Sequence, residues 1–179
     1  MLKFKIYVVV VVSIVVLLVT NNKADAQNVK WYSFEEAIEL NAKSPRNIMI
    51  DVYTDWCGWC KVMDKQTFSM PDIAKILNEQ YYAVKLDAET KDTIIFKEHT
   101  FVNTGEGKRP PHQLAIALLN GKLSYPNIVF LNKNSDLLGA LPGFRKPEEM
   151  MPILDYITKE LYKQKIDLGK YIQDNQVKQ

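Results

Sequence analysis

The sequence predicts an α/β fold with a mixed central sheet flanked by helices, and three observations carry the prediction. The run Asn47 to Tyr53 is rich in Ile, Val and aromatic residues without polar alternation, the pattern of a strand buried on both faces. Strand-like and helix-like segments alternate at first and then give way to a hairpin and a closing helix, an order that supplies crossovers for parallel strands and a tight turn for antiparallel ones. Directly behind Tyr53, the only two cysteines lie in Trp56-Cys57-Gly58-Trp59-Cys60-Lys61, where strand character changes to helical.

Each element has its own local reason. Ser33-Phe34-Glu35-Glu36 has the capping-box pattern, and Phe34, Ala37, Ile38 and Ala42 recur behind it at helical spacing, which predicts a helix over 33–43. Pro45 closes that turn before the 47–53 strand. A helix is expected from Cys57 to about Ser69, a further turn or short helix from Pro71-Asp72 through Leu77, and a second strand over Tyr81 to Leu86. Asn127 to Leu131 reads as a third strand, and Leu137 to Leu141 as a fourth beyond the turn Asn132-Lys133-Asn134-Ser135-Asp136. Pro147 to about Tyr162 reads as a closing helix, and 173–179 as a flexible polar tail.

The stretch before the third strand is long, and 90–122 is treated as an insertion. Thr93 to Lys97 and Thr100 to Val102 are expected to pair as a hairpin about Glu98-His99. The Gly/Pro-rich loop Gly105 to Pro111 follows, and His112 to Leu119 repeats Leu114, Ala115, Leu118 and Leu119 at helical spacing. The helix reads as sheet cover, the hairpin and loop as a partner surface, since loops on a rigid scaffold commonly carry recognition. His99 and His112 read as hydrogen-bonding surface groups.

Cys57 and Cys60 lie one helical turn apart on the same face, close enough to join as a disulfide or to separate as two thiols. Cys57 falls at the start of a helix, where free N–H groups and the helix dipole stabilise a thiolate, so the pair reads as a redox dithiol. Two blander readings are weaker. A zinc site of Cys57, Cys60, His99 and His112 lacks the finger spacing, because 39 positions separate Cys60 from His99 and 13 separate the histidines. A purely structural disulfide would close too short a loop to remove much unfolded-chain entropy.

Residues 1–26 have the form of a secretory signal peptide: a basic start at Lys3 and Lys5, an apolar stretch from Ile6 to Val19, and small residues at Ala24-Asp25-Ala26. Cleavage before Gln27 is expected, with an uncleaved membrane anchor as the alternative; the apolar stretch is shorter than the roughly 20 residues that span a bilayer. The leader contains three lysines and one aspartate, which accounts for the whole net charge of +2. The remainder is neutral, so nothing indicates nucleic-acid binding or a polybasic membrane contact. Its length suits one domain over 27–172, with no repeat or linker to divide it.

These residues together resemble the thioredoxin superfamily, most closely the bacterial-envelope thiol-disulfide interchange proteins, including the C-terminal domain of the transmembrane disulfide reductase. Beyond the Cys-x-x-Cys motif, Asp51 stands where that family carries a buried carboxylate, six positions before the first cysteine. Lys85 matches a lysine late in the next strand, Pro126 the cis-proline that opens the third main strand, and Gly143 a glycine after the hairpin. The chain departs from the family in having Gly58 and Trp59 between the cysteines, Tyr125 before the proline, and the insertion.

The resemblance implies a thioredoxin fold with an insertion before the cis-proline strand, and an exported, periplasmic protein-disulfide oxidoreductase acting more often as a reductant. Cys57 would attack, Cys60 would resolve, Asp51 would accept the Cys60 proton, and Lys85 would bias the charge on Asp51. Trp56, Gly58, Trp59, Tyr125 and Pro126 would contact the substrate. The implied partners are disulfide-containing envelope proteins and a membrane-linked electron donor, with a monomeric protein and no cofactor, metal or nucleic acid. A disulfide oxidase or isomerase, and a redox-inactive chaperone or binding module, remain as alternatives.

Overall fold

A computed structural model describes residues 28–105 and 107–176. The signal peptide expected over 1–26 and the last residues of the expected tail lie outside the described residues.

Five strands form the main sheet: β1 (Trp31–Tyr32), β2 (Asn47–Tyr53), β3 (Tyr81–Asp87), β6 (Asn127–Leu131) and β7 (Leu137–Pro142), in the order β1-β3-β2-β6-β7. β1, β3 and β2 run parallel, whereas β6 is antiparallel to β2 and β7 to β6. The fold is therefore the mixed α/β sheet that the element order predicts, with β2 at its centre. The two-residue β1 is too short to leave a periodic signal in the sequence.

Helices cover both faces. α1 (Phe34–Lys43) begins at Ser33, whose hydroxyl accepts from the Glu36 N–H while the Glu36 carboxylate accepts from the Ser33 N–H. α2 (Gly58–Met63) runs into a π-helical turn over Asp64–Phe68, and α3 (Pro71–Gln80) follows. Beyond the insertion come α4 (Gln113–Leu118) and α5 (Pro147–Thr158). The closing helix stops short of Tyr162 because Glu160 adopts a left-handed backbone, φ 53°, after which Leu161–Gln164 forms a single 3-10 turn.

A further helix, α6 (Leu168–Asn175), takes in the first residues of the segment expected to be a tail. Asp167 caps it, and Leu168, Tyr171 and Ile172 pack its apolar stripe on the core.

Alternation along β2 sorts the core. Ile48, Ile50 and Val52 face the layer of Phe34, Ala37, Leu114 and Ala115, contributed by α1 and α4. Met49 faces the opposite layer of Met63, Phe68, Ile73, Leu77 and Leu154, contributed by the dithiol helix, α3 and α5. Period-2 geometry thus assigns Asp51 to the Met49 face, beneath the helix that carries Cys60.

The insertion contains the hairpin β4 (Ile94–Phe96) and β5 (His99–Phe101). Its two-residue turn is Lys97-Glu98, with φ of 49° and 65°, the left-handed pair a type I′ turn requires. The turn is therefore one residue earlier than expected, and His99 belongs to the strand opposite Phe96.

His112 also differs from its sequence reading, being fully buried. Its Nδ1 accepts from the Leu114 N–H at 3.2 Å and caps α4, and its Nε2 lies 3.0 Å from the Asp92 carbonyl. With Nδ1 as acceptor, Nε2 carries the proton and donates to that carbonyl.

Candidate active site

β2 ends at Tyr53, and a turn in which the Cys57 N–H donates to the Thr54 carbonyl (3.0 Å) delivers Cys57 to the N-cap of α2. Its Sγ accepts from the Cys60 N–H at 3.0 Å, the place an N-cap oxygen would ordinarily take. Cys57 and Cys60 are joined as a disulfide. Neither sulfur stands proud of the surface: Cys57 is 5% exposed and Cys60 2%. Position at the helix start, more than a large difference in exposure, is what distinguishes them. A negative sulfur at Cys57 would meet a backbone donor and the positive end of the helix; Cys60 lies one turn inside.

Beneath the helix, Asp51 is fully buried. It is in register with Lys85 on the neighbouring parallel strand, whose Nζ donates to Oδ2 at 2.7 Å. The other carboxylate oxygen, Oδ1, is buried without a hydrogen-bond partner. Burial penalises the charged form more than Lys85 restores it, and the Asp51 pKa rises from 3.8 to about 6. For Lys85, burial pulls the pKa down, but its two carboxylate partners outweigh it and the ammonium is held charged.

The second partner is Asp64, a residue the sequence reading did not single out. Its signal was available in the spacing, since Asp64 follows Cys60 by one helical turn and shares its side of the helix. The rings of Trp31, Tyr53 and Phe68 surround the Lys85 ammonium at 4.9 to 5.7 Å from their centroids.

Two aromatic pairs, Trp56–Tyr125 and Trp59–Phe144, are built on the tryptophans of the dithiol turn. Trp59 is 63% exposed and leans on Phe144, with ring centroids 5.6 Å apart. Trp59, Tyr125, Pro126, Gly143 and Phe144 line one shallow groove. The Tyr125-Pro126 peptide bond is cis, and the Gly143 N–H donates to the Pro126 carbonyl at 2.8 Å. Gly143 has φ +91°, a left-handed conformation that disfavours a side chain there. Gly58 opens α2 with free space around its Cα.

Trp56, half exposed, meets Tyr125 edge-on at 6.0 Å. Trp56, Gly58 and Trp59 are thus next to the cysteines in the chain, Tyr125 meets Trp56, Pro126 shares the groove with Trp59, and Asp51 and Lys85 pair on the sheet beneath the helix. Glu89, which the sequence reading did not single out, and Arg109, from the loop read as a partner surface, reach Trp56 from the long segment that precedes β6.

A family model described as "Thioredox_DsbH: Protein of unknown function, DUF255" matches residues 20–164. The chain belongs to this DUF255 family. Among curated proteins, it is 31% identical over 75 residues to spermatogenesis-associated protein 20 of Homo sapiens, covering 41% of this chain and 10% of that protein. It is 49% identical over 37 residues to the thiol:disulfide interchange protein DsbD of Pectobacterium atrosepticum, covering 21% of this chain and 6% of that one. The chain therefore spans only a small part of the length of these relatives.

Two solved structures share the fold of this DUF255 chain. A DsbH oxidoreductase superposes with a TM-score of 0.52 at 19% identity, covering 83% of this chain and 92% of the other. A thioredoxin-fold protein from Helicobacter pylori superposes with a TM-score of 0.58 at 15% identity, covering 86% and 94%. The DUF255 chain thus has a thioredoxin fold and carries a paired Cys-x-x-Cys. Among the described residues, no helix is long and apolar enough to cross a membrane.

Proposed function

We propose that this protein is an exported thiol-disulfide oxidoreductase that reduces disulfides in envelope proteins. The observation that carries the reading is the Cys57-Cys60 pair at a helix start above a buried carboxylate with one unpartnered oxygen. The apolar leader Ile6 to Val19 supports export.

In the reducing direction, the Cys57 thiolate attacks one sulfur of a substrate disulfide. A Cys57-substrate disulfide forms, and one substrate thiolate leaves and takes a proton from solvent. Cys60 then gives its proton to Asp51, directly or through water, and attacks the Cys57 sulfur. The second substrate sulfur departs as a thiolate and is protonated by Asp51 or by solvent, Cys57 and Cys60 are left as a disulfide, and two electrons have passed to the substrate. An acceptor with a pKa near 6 accepts this proton more readily than an ordinary carboxylate and is still mostly ionised at neutral pH. Lys85 keeps Asp51 from rising further, and the groove beside cis-Pro126 would hold the substrate chain. A membrane-linked dithiol donor would return the electrons, and no cofactor is required.

Insulin reduction with dithiothreitol as donor tests the reading. The wild type should speed precipitation of the B chain well beyond dithiothreitol alone, and Cys57→Ser should abolish the gain. A wild type no faster than dithiothreitol would favour a binding module over an enzyme.

A further inference from the structure

The segment between β3 and β6 reaches the dithiol loop through Trp56. The indole Nε1–H donates to Glu89 Oε1 at 2.9 Å, the Arg109 guanidinium lies 5.1 Å from the ring centroid, and the ring meets Tyr125 edge-on. Glu89 and Arg109 are 20 positions apart in sequence. One side chain closes that distance: Asn103 Nδ2 donates to the carbonyls of Glu89 (3.2 Å), Thr90 (3.0 Å) and Pro110 (2.8 Å). The start and end of the loop are thereby tied together, and the buried His112 joins Asp92 to the cap of α4.

A half-exposed tryptophan with no partners would sample several rotamers. Here a charge-assisted hydrogen bond fixes the edge of the ring and a cation covers part of its face. The fixed ring in turn backs Tyr125, which lines the groove with Trp59, Pro126, Gly143 and Phe144.

We infer that Glu89 and Arg109 are positioning residues: through Trp56 they hold Tyr125 as one wall of the groove, and so set how well a polypeptide disulfide, as opposed to a small one, is held over Cys57. The inference rests on the oxidoreductase reading. An extended chain touches the wall along several residues and depends on its placement, whereas a small aryl disulfide needs only access to the sulfur.

The test compares Glu89→Ala, Arg109→Ala and Glu89→Gln with the wild type. Insulin is the polypeptide substrate, and 5,5′-dithiobis(2-nitrobenzoate) is the small one, mixed with pre-reduced protein freed of dithiothreitol. Both alanine variants should raise the KM for insulin at least threefold with kcat unchanged, while the rate with the small disulfide stays within twofold. Glu89→Gln, whose amide oxygen still accepts from the indole, should restore the insulin KM. The Trp56 indole N–H resonance should move in Glu89→Ala and stay in place in Glu89→Gln. An unchanged insulin KM, equal losses on both substrates, or a glutamine variant as impaired as the alanine one would overturn the inference while leaving the enzyme reading intact. A wild type inactive on both disulfides would overturn the reading and the inference together.

Discussion

Lys85 and Asp51 face one another across the parallel pair β2-β3, in direct register, with Nζ 2.7 Å from Oδ2. The pair is asymmetric. The carboxylate is fully buried, whereas the ammonium is partly exposed and shared with Asp64. Its electrostatic consequence is that burial prevails over pairing at Asp51.

That imbalance predicts a pH signature in stability. The folded-state pKa of Asp51, about 6, lies above its ordinary 3.8, so the native state binds the extra proton between these values. Stability from this group is fully present below pH 4 and is lost as pH rises through 6, a loss of about 3 kcal/mol if the whole shift is realised. Asp51→Asn should therefore unfold at higher denaturant than the wild type at pH 7, and the gain should shrink toward pH 4. Parallel denaturant curves for the two proteins, collected between pH 4 and 8, check this. A gain independent of pH would place the effect elsewhere.

The same carboxylate should govern resolution. Release of substrate from the mixed disulfide is expected to speed up as pH rises through about 6 in the wild type, because only ionised Asp51 accepts the Cys60 proton. Asp51→Asn should slow this step at pH 7 by 10²-fold or more. Lys85→Met removes the cation that lowers the Asp51 pKa, so its profile should move to higher pH. Quenched-flow measurement of mixed-disulfide decay gives both results.

Cys57 should be alkylated by iodoacetamide near neutral pH faster than Cys60 in the reduced protein, by about tenfold, because the N-cap donor and helix dipole act on its sulfur. The small difference in exposure between the two does not predict such a gap. Cys60→Ser should retain attack but accumulate mixed disulfides with client proteins. Equal labelling of the two cysteines, read by mass spectrometry, would contradict the assignment of the nucleophile.

Much of this architecture was readable from local signals. The capping box at Ser33, the Ile- and Val-rich run of β2 and the proline at the start of α3 act over a few residues, and those elements fall close to their expected ranges. Asp51 is legible from its place six positions before Cys57, where the family it resembles carries a buried carboxylate. Other features arise from contacts distant in sequence. β1 exists as a strand only because β3 lies beside it, and Glu89 and Arg109 meet at Trp56 only once Asn103 folds the loop. His112 looked like a surface group because its partners are backbone atoms, which sequence does not display. Helix α6 was different: Asp167 and the Leu168, Tyr171, Ile172 stripe were visible but were obscured by the polar residues around them.

Whether the dithiol donates electrons is decided by its reduction potential. Gly58 and Trp59 place no charge between the cysteines, so the Cys57 thiolate lacks the extra stabilisation that makes a dithiol strongly oxidising. Equilibration of Cys57-Cys60 with glutathione should give a potential near the thioredoxin value of about −270 mV, far from the roughly −120 mV of a strong oxidant. At about 1.4 kcal/mol per 30 mV the two limits differ by about 7 kcal/mol, ample for the measurement to separate them. A potential above about −180 mV, the range of protein disulfide isomerase, would contradict the reductase account and make the protein an oxidase or isomerase.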